Sequence, residues 1–191
     1  MQKRLRKLLL MDEHVCPWWL AYSFDNRLRL LFHNPEKLFG GYVKPGDTVI
    51  DIGSGMGFFS IAMARMVGEA GNVIAVDIQS KMLSVLRERA EKQGVEPRIR
   101  LHQCRENSLG LTEPVDFALA FWMVHEVPDP ENLMRSVRSI LKPGALFFYA
   151  EPRIHVSRSR FEHNVETAQS AGLKPVSRPP VSLSRAVVFK P

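Results

Sequence analysis

Cysteine is nearly missing from these 191 residues: Cys16 and Cys104 are the only two. Two thiols so far apart build neither a disulfide framework nor a four-ligand zinc site, and a reducing, cytoplasmic setting is the simpler expectation. Long apolar runs are missing as well. Met1 to Met11 places Lys3, Arg4, Arg6 and Lys7 ahead of Leu8, Leu9, Leu10 and Met11 in the manner of a signal peptide, but Asp12 and Glu13 end the apolar run early. A basic amphipathic helix is expected there, with no membrane span. Neither an internal repeat nor a low-complexity linker divides the chain. With 45% hydrophobic residues it is expected to fold as one domain with its own core. Acidic residues are the minority, 20 against 26 Lys and Arg, for a formal charge of +6. The excess lies in Lys3 to Lys7 and in Arg153, Arg158, Arg160, Lys174, Arg178, Arg185 and Lys190, without interleaved aromatics. That pattern reads as solvated surface ahead of a nucleic-acid footprint, which stays possible but is not favoured.

What is present centres on Thr48 to Ser60, TVIDIGSGMGFFS. Thr48, Val49, Ile50 and Ile52 form a short β-branched run suited to a central parallel strand. Gly53, Gly55 and Gly57 then recur at every second position, so that backbone can approach a ligand closely. Phe58, Phe59, Ile61, Ala62, Met63, Ala64 and Met66 begin a helix whose unpaired amides and positive dipole end face back toward the loop. A dinucleotide fingerprint needs a small residue where Phe58 stands.

The run from Asp51, acid-x-G-x-G-x-G, resembles motif I of the Rossmann-like S-adenosylmethionine-dependent methyltransferases. Gly71 and Asn72 make a turn, and Val73 to Val76 make a second buried strand ending in Asp77, at the distance where this fold places a ribose-binding carboxylate. The resemblance implies an α/β fold with a doubly wound, mostly parallel seven-stranded sheet and helices on both faces. It assigns Gly53, Ser54, Gly55 and Gly57 to the amino-acid end of the cofactor, Asp51 to the loop and the cofactor amine, and Asp77 to the ribose. Ile78 and Met82 would border the adenine. Relatives commonly carry an Asp after the third strand for the adenine amino group; here Arg105 stands at that place, followed by Glu106.

Residues 1–40 are expected to form a helical cap on a domain spanning 41–191. Leu20, Phe24, Arg27, Leu28, Leu31 and Phe32 keep helical spacing, and Asn34-Pro35 ends one helix and starts the next. Trp18, Trp19, Phe24, Asp25, Arg27 and His33, with Trp122 from farther on, are the candidates to line a substrate space; Arg29 belongs with the ionisable group that either pairs or joins this cap. Ser80 is expected to cap a helix over Lys81 to Gln93 that stops at Gly94. Ile99 to Gln103 reads as strand three, Asp116 to Phe121 as strand four, Asp129-Pro130 as a helix start, Leu141-Lys142-Pro143-Gly144 as a turn into strand five over Ala145 to Ala150. A helix over Ser157 to Ala171 and short strands over Lys174 to Arg178 and Ala186 to Phe189 finish the fold, the prolines limiting one strand to an edge. HEVPDPENL and LKPG resemble the later part of the small-molecule methyltransferases, including those acting on quinone precursors. So little chain follows strand five that any lid is expected from residues 1–40.

His125 and Glu126 follow strand four, on the side where such sheets bind substrate, and form the best acid–base pair in the sequence. The resulting reading is a methyltransferase that moves a methyl group from S-adenosylmethionine, by in-line displacement, to a small-molecule acceptor. No metal or protein nucleophile is demanded. Trp122-Met123-Val124 does not match the Asp/Asn-Pro-Pro-aromatic motif of nucleobase amine methylation, and two cysteines are too few for arsenite. RNA methylation through the basic ends, a nicotinamide oxidoreductase disfavoured by Phe58, and a non-catalytic cofactor sensor or partner subunit are the alternatives.

Overall fold

In the computed structural model, which describes residues 29–191, short helices α1 (Arg29–Phe32) and α2 (Pro35–Phe39) lead into β1 (Thr48–Ile52). Asn34 accepts the Lys37 amide and Pro35 opens α2, as the Asn-Pro pair suggested. The chain continues through α3 (Phe58–Met66), β2 (Asn72–Asp77), α4 (Ser80–Lys92), β3 (Ile99–Gln103) and β4 (Val115–Phe121). Then come α5 (Pro130–Ile140), β5 (Leu141–Pro152), α6 (Arg158–Ser170), β6 (Lys174–Ser177) and β7 (Ser184–Lys190). The strands make one sheet in the order β3-β2-β1-β4-β5-β7-β6. All pairings are parallel except those of β7 with β5 and β6.

Alternate strand residues go to opposite faces, and each face has its own helices. Ile50, Ile52, Ile74, Val76, Ala118, Ala120, Phe147 and Tyr149 pack with Leu133, Met134 and Val137 of α5 and Phe161 and Val165 of α6. Val49, Val73, Ala75, Phe117, Leu119 and Phe148 pack with Phe39, with Phe59 and Met63 of α3, and with Leu86 and Ala90 of α4. Both faces are therefore buried, which is why the central strands read as near-continuous apolar runs.

Two local expectations are corrected. Ser80 does not cap α4: it is the first helical residue, Gln79 holds the cap position in extended backbone, and neither supplies a side-chain cap bond. The Gln79 amide is instead held by Asp77. Nor does Leu141 to Gly144 stand outside strand five. Leu141 pairs with Val115 and Leu146 with Phe117, so Lys142 to Ala145 bulge from a longer β5, with Gly144 at φ +84°. Lys142 Nζ reaches Asp116 Oδ2 at 2.7 Å, the same oxygen that accepts the Thr48 amide. Asp129 caps α5 through the Asn132 amide and Ser157 caps α6 through that of Arg160, as expected.

Candidate active site

The carboxyl ends of β1, β2, β4 and β5 open onto a cavity of about 1090 Å³. Its floor is the glycine loop, where each glycine answers a different demand. A Cβ on Gly53 (φ +72°) would lie 2.8 Å from Cβ and Cγ of Met123, and one on Gly57 (φ +90°) 2.6 Å from Cγ of Leu86. Gly53 thus admits the segment after β4, and Gly57 lets the start of α3 pack on α4. Gly55 (φ +54°) has nothing within 4 Å of its would-be Cβ and borders the cavity.

Two acids tie the loop down. Asp77, nearly buried, accepts the Gly55 amide at 2.9 Å on Oδ2 and the Gln79 amide at 2.8 Å on Oδ1. Burial pushes its carboxyl above the ordinary aspartate range, and the amides of Gln79, Gly55 and Ile78 pull against it. Asp51 accepts the Ser60 hydroxyl at 2.5 Å. Burial raises its pKa to about 6, against the Ser60 bond and the charge of Arg29. That guanidinium lies 4.6 Å from the ring centre of Phe58, 4.9 Å from Phe59, 5.3 Å from Trp122 and 5.7 Å from Phe121, on the cavity wall.

The wall after β4 begins at Trp122, whose φ of +63° turns the chain and whose Nε1 donates to Ser184 Oγ at 2.8 Å. A single 3-10 turn, Val124–Glu126, then presents His125. Its main-chain N–H donates to Oε1 of Glu151 at 2.9 Å and its Nδ1 lies 2.7 Å from Oε2 of the same carboxylate. Glu126 Oε1 is 3.8 Å from the other ring nitrogen, Nε2. Burial works against a charge on the His125 ring, yet the bond to Glu151 and the charges of Glu151 and Glu126 outweigh it and lift the pKa above 6.5.

Of the residues singled out in the sequence, Asp51, Gly53, Ser54, Gly55, Asp77, Ile78, Met82, Trp122, His125 and Glu126 all border this cavity. Gly57 does not; it sits behind the loop as the cap residue of α3. His33, expected to line the substrate space, is an interior residue: 1% exposed, Nε2 2.8 Å from the Ser182 carbonyl, its ring edge-on to Phe121 and Trp122. Burial lowers its pKa below the ordinary histidine value and so favours the neutral ring. Trp18, Trp19, Phe24, Asp25 and Arg27 lie outside the described residues. Arg105, whose main chain pairs with that of Ser108, forms further wall after β3 together with Glu106 and Asn107. Glu151 was missed as a site residue, although an acid ending an apolar strand is the same signal that marked Asp77.

The residues fit an amino-acid-bearing nucleoside: an open glycine position, an acid at the end of β2, and Ser54 Oγ, buried on the cavity wall with no hydrogen-bond partner among the described residues. The family described as a methyltransferase domain matches residues 43–176. The chain belongs to that family. Its sheet order and antiparallel β7 are those of the Rossmann-like, S-adenosylmethionine-dependent class. A crystal structure of a SAM dependent methyltransferase from Aquifex aeolicus matches 92% of this chain and 98% of its own, with TM-score 0.81 and 24% identity, a likeness of fold. Over 112 residues the domain is 32% identical to the ubiquinone/menaquinone biosynthesis C-methyltransferase UbiE of Vibrio vulnificus, which covers 56% of this chain and 42% of that protein. The demethylmenaquinone methyltransferase of Lactobacillus johnsonii is 32% identical over 102 residues, 53% of this chain and 42% of its own. The methyltransferase domain thus matches less than half the length of these relatives. Among its described residues no helix is long and apolar enough to cross a membrane.

Proposed function

We propose that this domain transfers a methyl group from S-adenosylmethionine to a small-molecule acceptor bound in the same cavity. The observation that carries the reading is the continuity of that cavity: one space is bordered both by the glycine loop with Asp51 and Asp77 and by Trp122, His125 and Glu126. Gly53, Ser54 and Gly55 would receive the cofactor's amino-acid end, with Asp51 toward its ammonium and Arg29 toward its carboxylate. Asp77 accepts the Gly55 amide on Oδ2 and the Gln79 amide on Oδ1, and its carboxylate retains acceptor capacity for a ribose hydroxyl. Ile78 and Met82 supply apolar surface for the base. When bound, the cofactor supplies an electrophilic methyl group on a sulfonium. The chain's own contribution is alignment, exclusion of water by Phe58, Trp122 and Met123, and acceptance of a proton. The relatives' names, C-methyltransferases of quinone biosynthesis, support a small and partly aromatic acceptor.

The test is titration calorimetry with S-adenosylmethionine, paired with transfer of labelled methyl into fractions of a cell lysate. Asp77→Ala is expected to weaken cofactor binding by about 1 to 3 kcal/mol, and label should enter low-mass compounds with little dependence on salt. Absence of cofactor binding would defeat the reading. Label in RNA, falling steeply as salt is raised, would replace the acceptor with a nucleic acid.

A further inference from the structure

Glu151 is the most deeply buried carboxylate among the described residues, at 0% exposure. Such a group is retained only where fixed donors compensate for its lost water. Here both oxygens serve one residue, Oε1 taking the His125 amide and Oε2 its Nδ1. From α6, Arg160 Nη2 holds the His125 carbonyl at 2.9 Å, so the turn is pinned from two neighbouring elements. With its Nδ1 proton donated to Glu151, a neutral ring keeps its lone pair on Nε2. His125 lies on the cavity wall with 18% of its side chain exposed. The groups that face the ring are Glu151 from β5, Glu126 from its own turn, Arg160 from α6, and His155, whose ring stacks at 6.1 Å. A brace for the loop would need only the amide contact. The second contact sets the tautomer.

Resting on the methyltransferase reading, we propose that Nε2 of His125 takes the proton lost by a weakly acidic O–H or C–H acceptor, with Glu151 as the positioning residue that holds Nδ1–H and balances the imidazolium. Atoms and electrons balance. The acceptor atom gains the methyl carbon and gives up its proton to Nε2, the pair of the broken methyl–sulfur bond leaves with sulfur, and water later takes the proton from the ring. Glu126, whose Oε1 is 3.8 Å from Nε2, adds negative charge beside the imidazolium until water takes the proton. To the pair adjacent in sequence the fold thus adds Glu151, which reaches the turn after β4 from the end of β5.

The experiment starts with nitrogen-15 NMR of the cofactor-free protein. The His125 ring should show the Nδ1–H tautomer and titrate above 6.5, and Glu151→Gln should move that titration down. An Nε2–H tautomer, a titration at or below that of free histidine, or one unmoved by Glu151→Gln would overturn the pair; if Glu151→Gln fails to fold, the wild-type tautomer and titration decide. A purely structural role is separated by a spectroscopic readout. 4-Nitrophenol added to the S-adenosylhomocysteine complex, buffered just below the phenol's own pKa, should gain its phenolate band with wild type. It should not with His125→Asn, whose S-adenosylhomocysteine affinity should match the parent's. No gain of the phenolate band over that in buffer alone with wild type would overturn the assignment. Wild type that fails to bind S-adenosylhomocysteine would defeat the methyltransferase reading instead, which keeps the two failures apart.

Discussion

Asp51 shows how a single side chain sets conflicting requirements on stability and binding. Its pKa is about 6 in the folded chain against 3.8 for a free aspartate. Between those two pH values the folded state keeps a proton that the unfolded state has lost. Stability therefore falls as pH rises through this window, by about 3 kcal/mol at completion. Asp51→Asn removes the buried charge while its amide oxygen can still accept from Ser60. The variant is expected to be more stable than wild type at neutral pH by up to about 3 kcal/mol, with the gain gone below the free aspartate pKa. Urea midpoints at the two pH values check this. The same variant should bind S-adenosylmethionine less well, because an ammonium beside Asp51 would favour its ionised form. His125 has the opposite sign: its raised pKa contributes stability that is present below 6.5 and is lost as pH rises through the folded value.

The strand-loop-helix element holds three glycines with positive φ, and their substitutions should not behave alike. Gly57→Ala meets both the left-handed backbone penalty and Leu86 Cγ at 2.6 Å. A loss of about 2 to 3 kcal/mol is expected. Gly55→Ala meets open space and should lose only about 1 kcal/mol, yet Gly55 borders the cavity where the cofactor would approach. Thermal unfolding should rank Gly57→Ala as the more destabilised. Calorimetry on the folded variants should show a loss of cofactor affinity in Gly55→Ala out of proportion to its stability. Equal behaviour in both assays would mean that the loop serves only to pack helix on strand.

Across the whole molecule, the antiparallel pair at one side of the sheet divides into a structural strand and a cover. β7 lies between β5 and β6, with Val187, Val188 and Phe189 fully buried on alternating faces. β6 is exposed along its length and carries Pro175, which suits an edge. Phe189→Ala is expected to cost about 3 to 5 kcal/mol, whereas Val176→Lys on β6 should stay within about 0.5 kcal/mol. Denaturant midpoints of the two variants measure this contrast. The positive charge excess belongs to this scale too. Arg178 is held by both oxygens of Glu162, and Arg153, Arg160 and Arg185 donate to main-chain carbonyls. Part of the basic C-terminal stretch therefore braces the fold.

The features legible in the sequence are those that depend on neighbours along the chain. β-Branched runs, alternate glycines, strand-end acids and Asn-Pro or Asp-Pro starts act over a few residues, and β1, the loop, α3, β2 and β3 lie where that pattern put them. Contacts made across strands were not legible. His125 stands beside Glu126 in sequence, but the parallel register that sets Phe121 against Ala150 brings the turn after β4 to the end of β5, and so to Glu151, 26 residues away. His33 looks like a site residue from its polar neighbours, but the fold carries it to Ser182, 149 residues on, and buries it behind Trp122. Local sequence determined where strands, turns and the cofactor loop form, because backbone preference and periodicity are short-range. Which ionisable groups share a hydrogen bond, and which are cut off from water, was decided only when the sheet order placed distant strand ends side by side.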